Sequence, residues 1–133
     1  MDLGAVLDGL GVRLATISGL NVLDYLPDDI PVPAAVVDWP STVEYDSTMA
    51  RGSNRIETEV HAFISLVDAE SARDALVSYM SLSHANSVKA AIEDDPSLGG
   101  VAMTVRVMEA KAEVWSFASV DYLAATFTVE VYA

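Results

Sequence analysis

Between Arg55 and Val67 the chain alternates so strictly that only one kind of local structure accommodates it. Ile56, Thr58, Val60, Ala62, Ile64 and Leu66 share one parity, while Glu57, Glu59 and His61 share the other. A period of two places these sets on opposite faces of a β-strand, whereas a helix would scatter both around its circumference. The chain must therefore build a sheet with one apolar face, and other elements must cover that face.

Two segments have the spacing to do so. Leu3, Leu7, Leu10, Leu14 and Ile17 recur at intervals of four and three, which draws one stripe along a helix, with Asp2 placed to cap it. Gly4, Gly9 and Gly11 weaken this helix, so packing must hold it, and Gly19 offers a stop. Further along, Asp68 with Ser71 and Asp74 marks a second helix start, and Ala72, Ala75, Leu76, Tyr79 and Met80 form its apolar stripe. A shorter helical piece is expected from Ala85 to Glu93, closed by Asp94-Asp95-Pro96, with Ser97-Leu98-Gly99-Gly100 as a loop.

The remaining strands follow from pattern and turn chemistry. Pro27, Pro31 and Pro33 forbid helix and favour a stiff, extended path into a short strand, Ala34 to Asp38, that is apolar on both faces. Thr42 to Thr48 is expected to pair with the Arg55 strand as a hairpin whose long tip runs from Met49 to Asn54. Val101, Met103, Val105 and Val107 alternate, but the apolar phase shifts at Met108 and continues through Ala110, Ala112 and Val114. A one-residue shift turns every later side chain to the other face unless the strand bulges, so a bulge is expected near Met108–Glu109. Leu123, Ala125, Phe127, Val129 and Val131 share one face of a final strand, Tyr122 to Tyr132. The expected fold is α+β: a single domain over residues 1–133, mainly an antiparallel sheet with helices packed on one face.

The 133 residues contain no cysteine, which removes disulfides, thiolate metal sites and a cysteine nucleophile together. Neither histidine, His61 or His84, has a second ligand at a metal-binding spacing, and His61 is expected to point outward from its strand. Asp28-Asp29 and Asp94-Asp95 lack the alternating ligands and closing glutamate of a calcium loop. No serine sits in a GxSxG context, and Gly99-Gly100 has no following lysine for a phosphate loop. The sequence thus offers no catalytic, cofactor-binding or metal-binding residue, and the expectation is a protein that is not an enzyme. No stretch approaches the roughly 18 unbroken apolar residues of a membrane span, so no membrane partner is expected.

The formal charge of −13 is spread along the chain, with eight acids and one arginine in residues 1–50 and twelve acids and six bases in residues 51–133. Such a surface repels phosphate backbones and disfavours tight nucleic-acid binding. It coexists with an apolar fraction of 52%, a combination that points to apolar surface covered by partners.

The order of parts carries a resemblance. An N-terminal helix is followed by Val22-Leu23-Asp24-Tyr25-Leu26-Pro27-Asp28-Asp29-Ile30-Pro31-Val32-Pro33-Ala34-Ala35-Val36-Val37. Then come a hairpin, a long strand ending at Asp68, a helical middle and a terminal Thr126-Phe127-Thr128-Val129-Glu130-Val131. Over nearly the whole chain this arrangement resembles the tail terminator, or tail completion, proteins of long-tailed bacteriophages. The resemblance implies a structural subunit of a homo-oligomeric ring, typically a hexamer, on the head-proximal end of the tail tube in the virion, after assembly in the host cytoplasm. Such a ring ends tube polymerisation, touches the tail-tube protein, and presents the surface to which the head-tail connector binds. An acidic lumen would let DNA pass without specific contacts.

Within that reading the hairpin tip is the expected subunit interface. Met49, Arg51 and Arg55 combine an apolar side chain with two cations in an otherwise acidic chain, and a local basic spot can pair with a neighbour's acids and set register. The competing reading of the tip is a solvated turn. Other functions compatible with the sequence are another neck or tail-tube subunit, or a small ligand-binding or enzymatic domain with a deep polar pocket.

Overall fold

A computed structural model of the chain describes residues 2–23, 25, 30–46 and 53–133. The fold is α+β, with helices on one side of a mainly antiparallel sheet. In chain order the elements are α1 (Leu3–Leu14), β1 (Asn21–Leu23), β2 (Ala34–Val37), β3 (Thr42–Glu44), β4 (Arg55–Ser65), α2 (Ala69–Met80), α3 (Val88–Glu93), a 3-10 turn (Leu98–Gly100), β5 (Thr104–Phe117) and β6 (Val120–Tyr132). The strands lie in the order β1-β2-β4-β6-β5, and β3 joins β4 on the same side as β2. Only β1 and β2 run parallel; the other described pairs are antiparallel.

The alternating strand β4 is the spine. It pairs with β6 from Arg55↔Tyr132 to Ser65↔Tyr122, and its other edge is shared by β3, opposite 55–57, and β2, opposite 60–63. Its even residues and the odd residues of β6 face the helices. There Ile56, Val60, Ala62, Phe127, Val129 and Val131 join Val6, Leu10, Leu14, Val88 and Ile92 in one buried cluster.

Local signals set the helix starts. Asp2 Oδ1 accepts from the Ala5 N–H at 3.2 Å, and Asp68 accepts from the Glu70 N–H and the Ser71 hydroxyl. The buried line of α1 runs through Val6, Leu10 and Leu14, while Leu3 and Leu7 are only half-buried beside it. Ile17 is buried from the turn that follows the helix, and Gly19 lies at φ 80° beyond that turn. Helix α3 begins at Val88 rather than Ala85, because the Ser87 hydroxyl caps it by accepting from the Ala90 N–H at 3.1 Å. Gly9 has a packing role: a Cβ there would lie 3.1 Å from Leu98 Cβ, so the glycine lets the 3-10 turn sit against α1.

The expected bulge is present, with the β5–β6 register shifting between Val107 and Glu109. Beyond it Ala110, Ala112 and Val114 lie opposite Phe127, Ala125 and Leu123, on the helix side of the sheet. Val101 and Met103 fall before β5 rather than in it.

Two expectations are corrected. The segment expected to be only an extended lead-in contains β1, which adds a parallel strand beyond β2. His61 does not point to solvent: it is 4% exposed. The sheet face away from the helices has its own apolar layer, in which Phe63, Tyr122 and Ala124 pack with Ile30, Ala34 and Val36, and Trp115 borders it. Alternation places His61 on the correct face, but Trp115 and the chain around Asp38 cover it. Met49, Arg51, Asp28 and Asp29 lie outside the described residues.

Candidate interaction surfaces

Arg55 sits at the start of β4 within a cluster of carboxylates from three neighbouring strands. Its Nε and Nη2 donate to Glu130 Oε2 at 3.0 and 2.9 Å, Nη2 also donates to Glu57 Oε2 at 3.0 Å, and Nη1 lies 3.8 Å from Glu44. Strand pairing creates this cluster, because Glu44 lies directly opposite Arg55 while Glu57 and Glu130 pair one step along. The carboxylates raise the Arg55 pKa above its ordinary value, through Glu130 first and Glu57 second. Arg55 thus neutralises its own chain's acids; of the three expected interface residues it is the described one, and its charge is used internally.

A second surface follows the outer strand. β5 ends the sheet, and among the described residues it pairs only with β6. At Val107 its edge is occupied by α3: the Val107 N–H donates to Glu93 Oε2 at 3.0 Å, and Lys89 Nζ donates to the Val107 carbonyl at 3.0 Å. Lys89 and Glu93 are themselves paired one helical turn apart. This ion pair blocks strand addition at that point, one way of protecting an exposed edge. Past the bulge the helices continue over β4 and β6 but leave β5 uncovered. Met108 and Val114 are 46% and 59% exposed, and Leu82, after α2, is 76% exposed. Leu82, Met108 and Ala110 border a groove of about 240 Å³ between the end of α2 and β5.

The third surface lies on the opposite face of the sheet. Asp38, immediately after β2, reaches His61 on β4, with Nε2 to Oδ2 at 3.2 Å. The other ring nitrogen is 3.0 Å from the Thr126 hydroxyl on β6. Trp115 of β5 packs on the imidazole with ring centroids 4.8 Å apart, and its edge meets Phe63 at 5.5 Å. Asp38 Oδ1 accepts from the Trp39 N–H at 2.9 Å, which fixes the turn from which the Trp39 ring projects. Tyr25, Asp38, Trp39, His61 and Trp115, with Val36 and Val37, line a slot of about 300 Å³. Trp39 is 81% exposed, and the Asp38 side chain is 42% exposed, so one wall and the carboxylate are open to a visitor.

No local sequence pattern marks this slot, because its residues come from four stretches far apart in the chain. The available signal was compositional: Trp39 and Trp115 are the two tryptophans of the sequence, and both stand here. Among the described residues no group of three or more His, Asp or Glu side chains could hold a metal ion. Asp94 pairs with Arg13, and Asp95 accepts from Ser97 and the Gly99 N–H, so these adjacent acids close turns. Among the described residues no helix is long and apolar enough to cross a membrane. The fold defines an α+β protein with helices on one face of a mainly antiparallel sheet. No protein-family model matches the chain, and no curated protein matches it by sequence.

Proposed function

We propose that this protein is a structural subunit of a ring that caps the head-proximal end of a phage tail tube, ending tube polymerisation and receiving the head-tail connector. The observation that carries the reading is the uncovered flank of β5, where Leu82, Met108 and Val114 stand exposed beside a strand edge that, among the described residues, is blocked at Val107 alone. Exposed apolar side chains gathered along one flank are characteristic of protein–protein contact. An α+β unit with helices on one face and a second, differently built surface on the other also has the two unlike patches that a closed head-to-tail ring requires. The charge of −13 supports the same reading, since an acidic lumen passes DNA without binding it. The ring meets the tube on one side and the connector on the other, and it acts through shape and contact rather than by chemistry.

Electron microscopy of tails assembled with and without the protein tests this function. Its absence should give tubes of uncontrolled length that do not join heads. Normal tail lengths with normal head joining would overturn the reading, and normal lengths with failed joining would move the protein to another position in the neck.

A further inference from the structure

We infer that the slot between Trp39 and Trp115 receives the guanidinium of Arg73 from a second copy of the chain. The slot has the chemistry of a cation site. Trp39 and Tyr25 are exposed aromatic rings at its rim and Trp115 lines it, and aromatic faces attract a planar guanidinium more strongly than an aliphatic group. Asp38 supplies the counter-charge. One of its oxygens holds His61 and the other holds the Trp39 N–H, so the carboxylate is fixed in place while retaining acceptor sites toward the opening. At about 300 Å³ the cavity stands at the lower end of ligand pockets, a size suited to one side chain. Nearby on the same face are Glu59 and Glu113, the latter reached by the Thr126 hydroxyl, so the surroundings are acidic.

The chain's other described cations point to the donor. Arg13 is paired with Asp94, Arg55 with three glutamates, Lys89 with Glu93 and Lys111 with Glu109, while Arg106 lies opposite Glu130 on the same sheet face as the slot. Arg73 is exposed on α2 and belongs to no ion pair among the described residues. One turn along the same helix face Val77 is also exposed, giving a cation beside an apolar contact. Helix α2 packs on the helix side of β4 and β6, and the slot opens on the other side. Arg73 therefore reaches a slot only in another molecule, head to tail, which is the contact a ring needs. This assignment rests on the ring reading.

The test uses the full chain, with light scattering for assembly and tryptophan emission for the slot, because both tryptophans of the protein border it. Wild type should assemble with rising concentration, and its emission should shift as Trp39 is covered. Arg73→Glu and Trp39→Ala are substitutions at exposed positions, expected to keep the circular dichroism spectrum while weakening association by roughly tenfold or more. Asp38→Lys combined with Arg73→Glu should recover association to within about threefold of wild type, since the pair is restored with its charges exchanged. Rings unaffected by Arg73→Glu would overturn the Arg73 assignment and leave the ring reading standing. A wild type that stays monomeric would also overturn it, while the tail-length experiment judges the ring function separately. Titration with N-acetylarginine amide against the citrulline analogue adds a third arm. If only the arginine compound shifts the emission while Arg73→Glu still assembles, the slot serves a cation from a different protein and the second-copy assignment fails.

Discussion

Glu130 Oε2 accepts two N–H groups from Arg55, at 3.0 and 2.9 Å, across the pairing of β4 with β6. The Tyr132 hydroxyl first, and then the Arg55 guanidinium, hold the Glu130 carboxyl below its ordinary value of 4.5 despite burial. Burial pushes Glu93 upward, yet Lys89 and the Val107 N–H together leave it below 4.5 as well. Asp68 and Asp95 are lowered below 3.8 mainly by the hydroxyls of Ser71 and Ser97. Each group is more acidic folded than unfolded. Its stabilisation is therefore complete above the unfolded pKa and drains away as pH falls through the folded value. Glu130→Gln should be less stable than wild type near neutral pH, with the gap closing below about pH 4.5. Urea denaturation at several pH values checks this; a gap that stays constant down to about pH 3 would contradict it.

The β5–β6 turn holds a second expectation. Register pairs Phe117 with Val120, leaving Ala118 and Ser119 as a two-residue loop at φ 50° and 66°. Both residues are left-handed, the geometry for which Asn-Gly is the favoured pair. Ala118→Asn with Ser119→Gly should stabilise the protein by about 1–2 kcal/mol and raise its melting temperature by roughly 3–8 °C. An unchanged or lower melting temperature would mean that the strain is absent.

Two glycines of α1 should respond in opposite ways to the same substitution. At Gly11 an added Cβ would meet only Val22 Cγ1 at 3.8 Å, an ordinary contact, so Gly11→Ala should gain about 0.5–1 kcal/mol of helix propensity. At Gly9 the added carbon would lie 3.1 Å from Leu98 Cβ and 3.2 Å from the Leu98 carbonyl oxygen. Gly9→Ala should forfeit that gain or reverse it. Thermal melts of the two variants side by side decide the matter, and equal gains would show that α1 does not press on the 3-10 turn.

Glu93 guards the strand edge through a single backbone N–H. Glu93→Ala removes the acceptor of Val107 and should cost about 1–3 kcal/mol, because a half-buried donor loses its partner. The amide of Val107 should exchange with solvent faster in the variant while amides at the centre of β6 keep their relative order. Unaltered exchange at Val107 would show that the carboxylate does not protect this edge.

The parts legible in the sequence were those governed by neighbours a few residues apart. Alternation fixed which face each residue of β4 and β6 takes, and Asp2 and Asp68 announced their helices. The phase shift at Met108 located the bulge before any partner strand was known. Less of the interaction surface was readable. In the sequence Arg55 is a basic spot available to a neighbour's acids; strand pairing adds Glu44, Glu57 and Glu130 of its own chain around it. The Ala118–Ser119 turn gave no warning, since neither residue is a customary turn former at positive φ.

The sequence by itself determined the α+β class, the parity of the main strands and the excess of acid, because periodicity and charge are properties of order along the chain. Only the tertiary structure decided that His61 is buried, that Asp38 meets it, and that Trp39 and Trp115 frame one slot. Those contacts join residues 38, 61, 115 and 126 through the lateral order β2-β4-β6-β5, and no local pattern encodes which strands become neighbours. The bare flank of β5 has the same origin. Ala112 and Val114 are apolar on the helix side, yet they are exposed because the helices continue over β4 and β6 but leave β5 uncovered there.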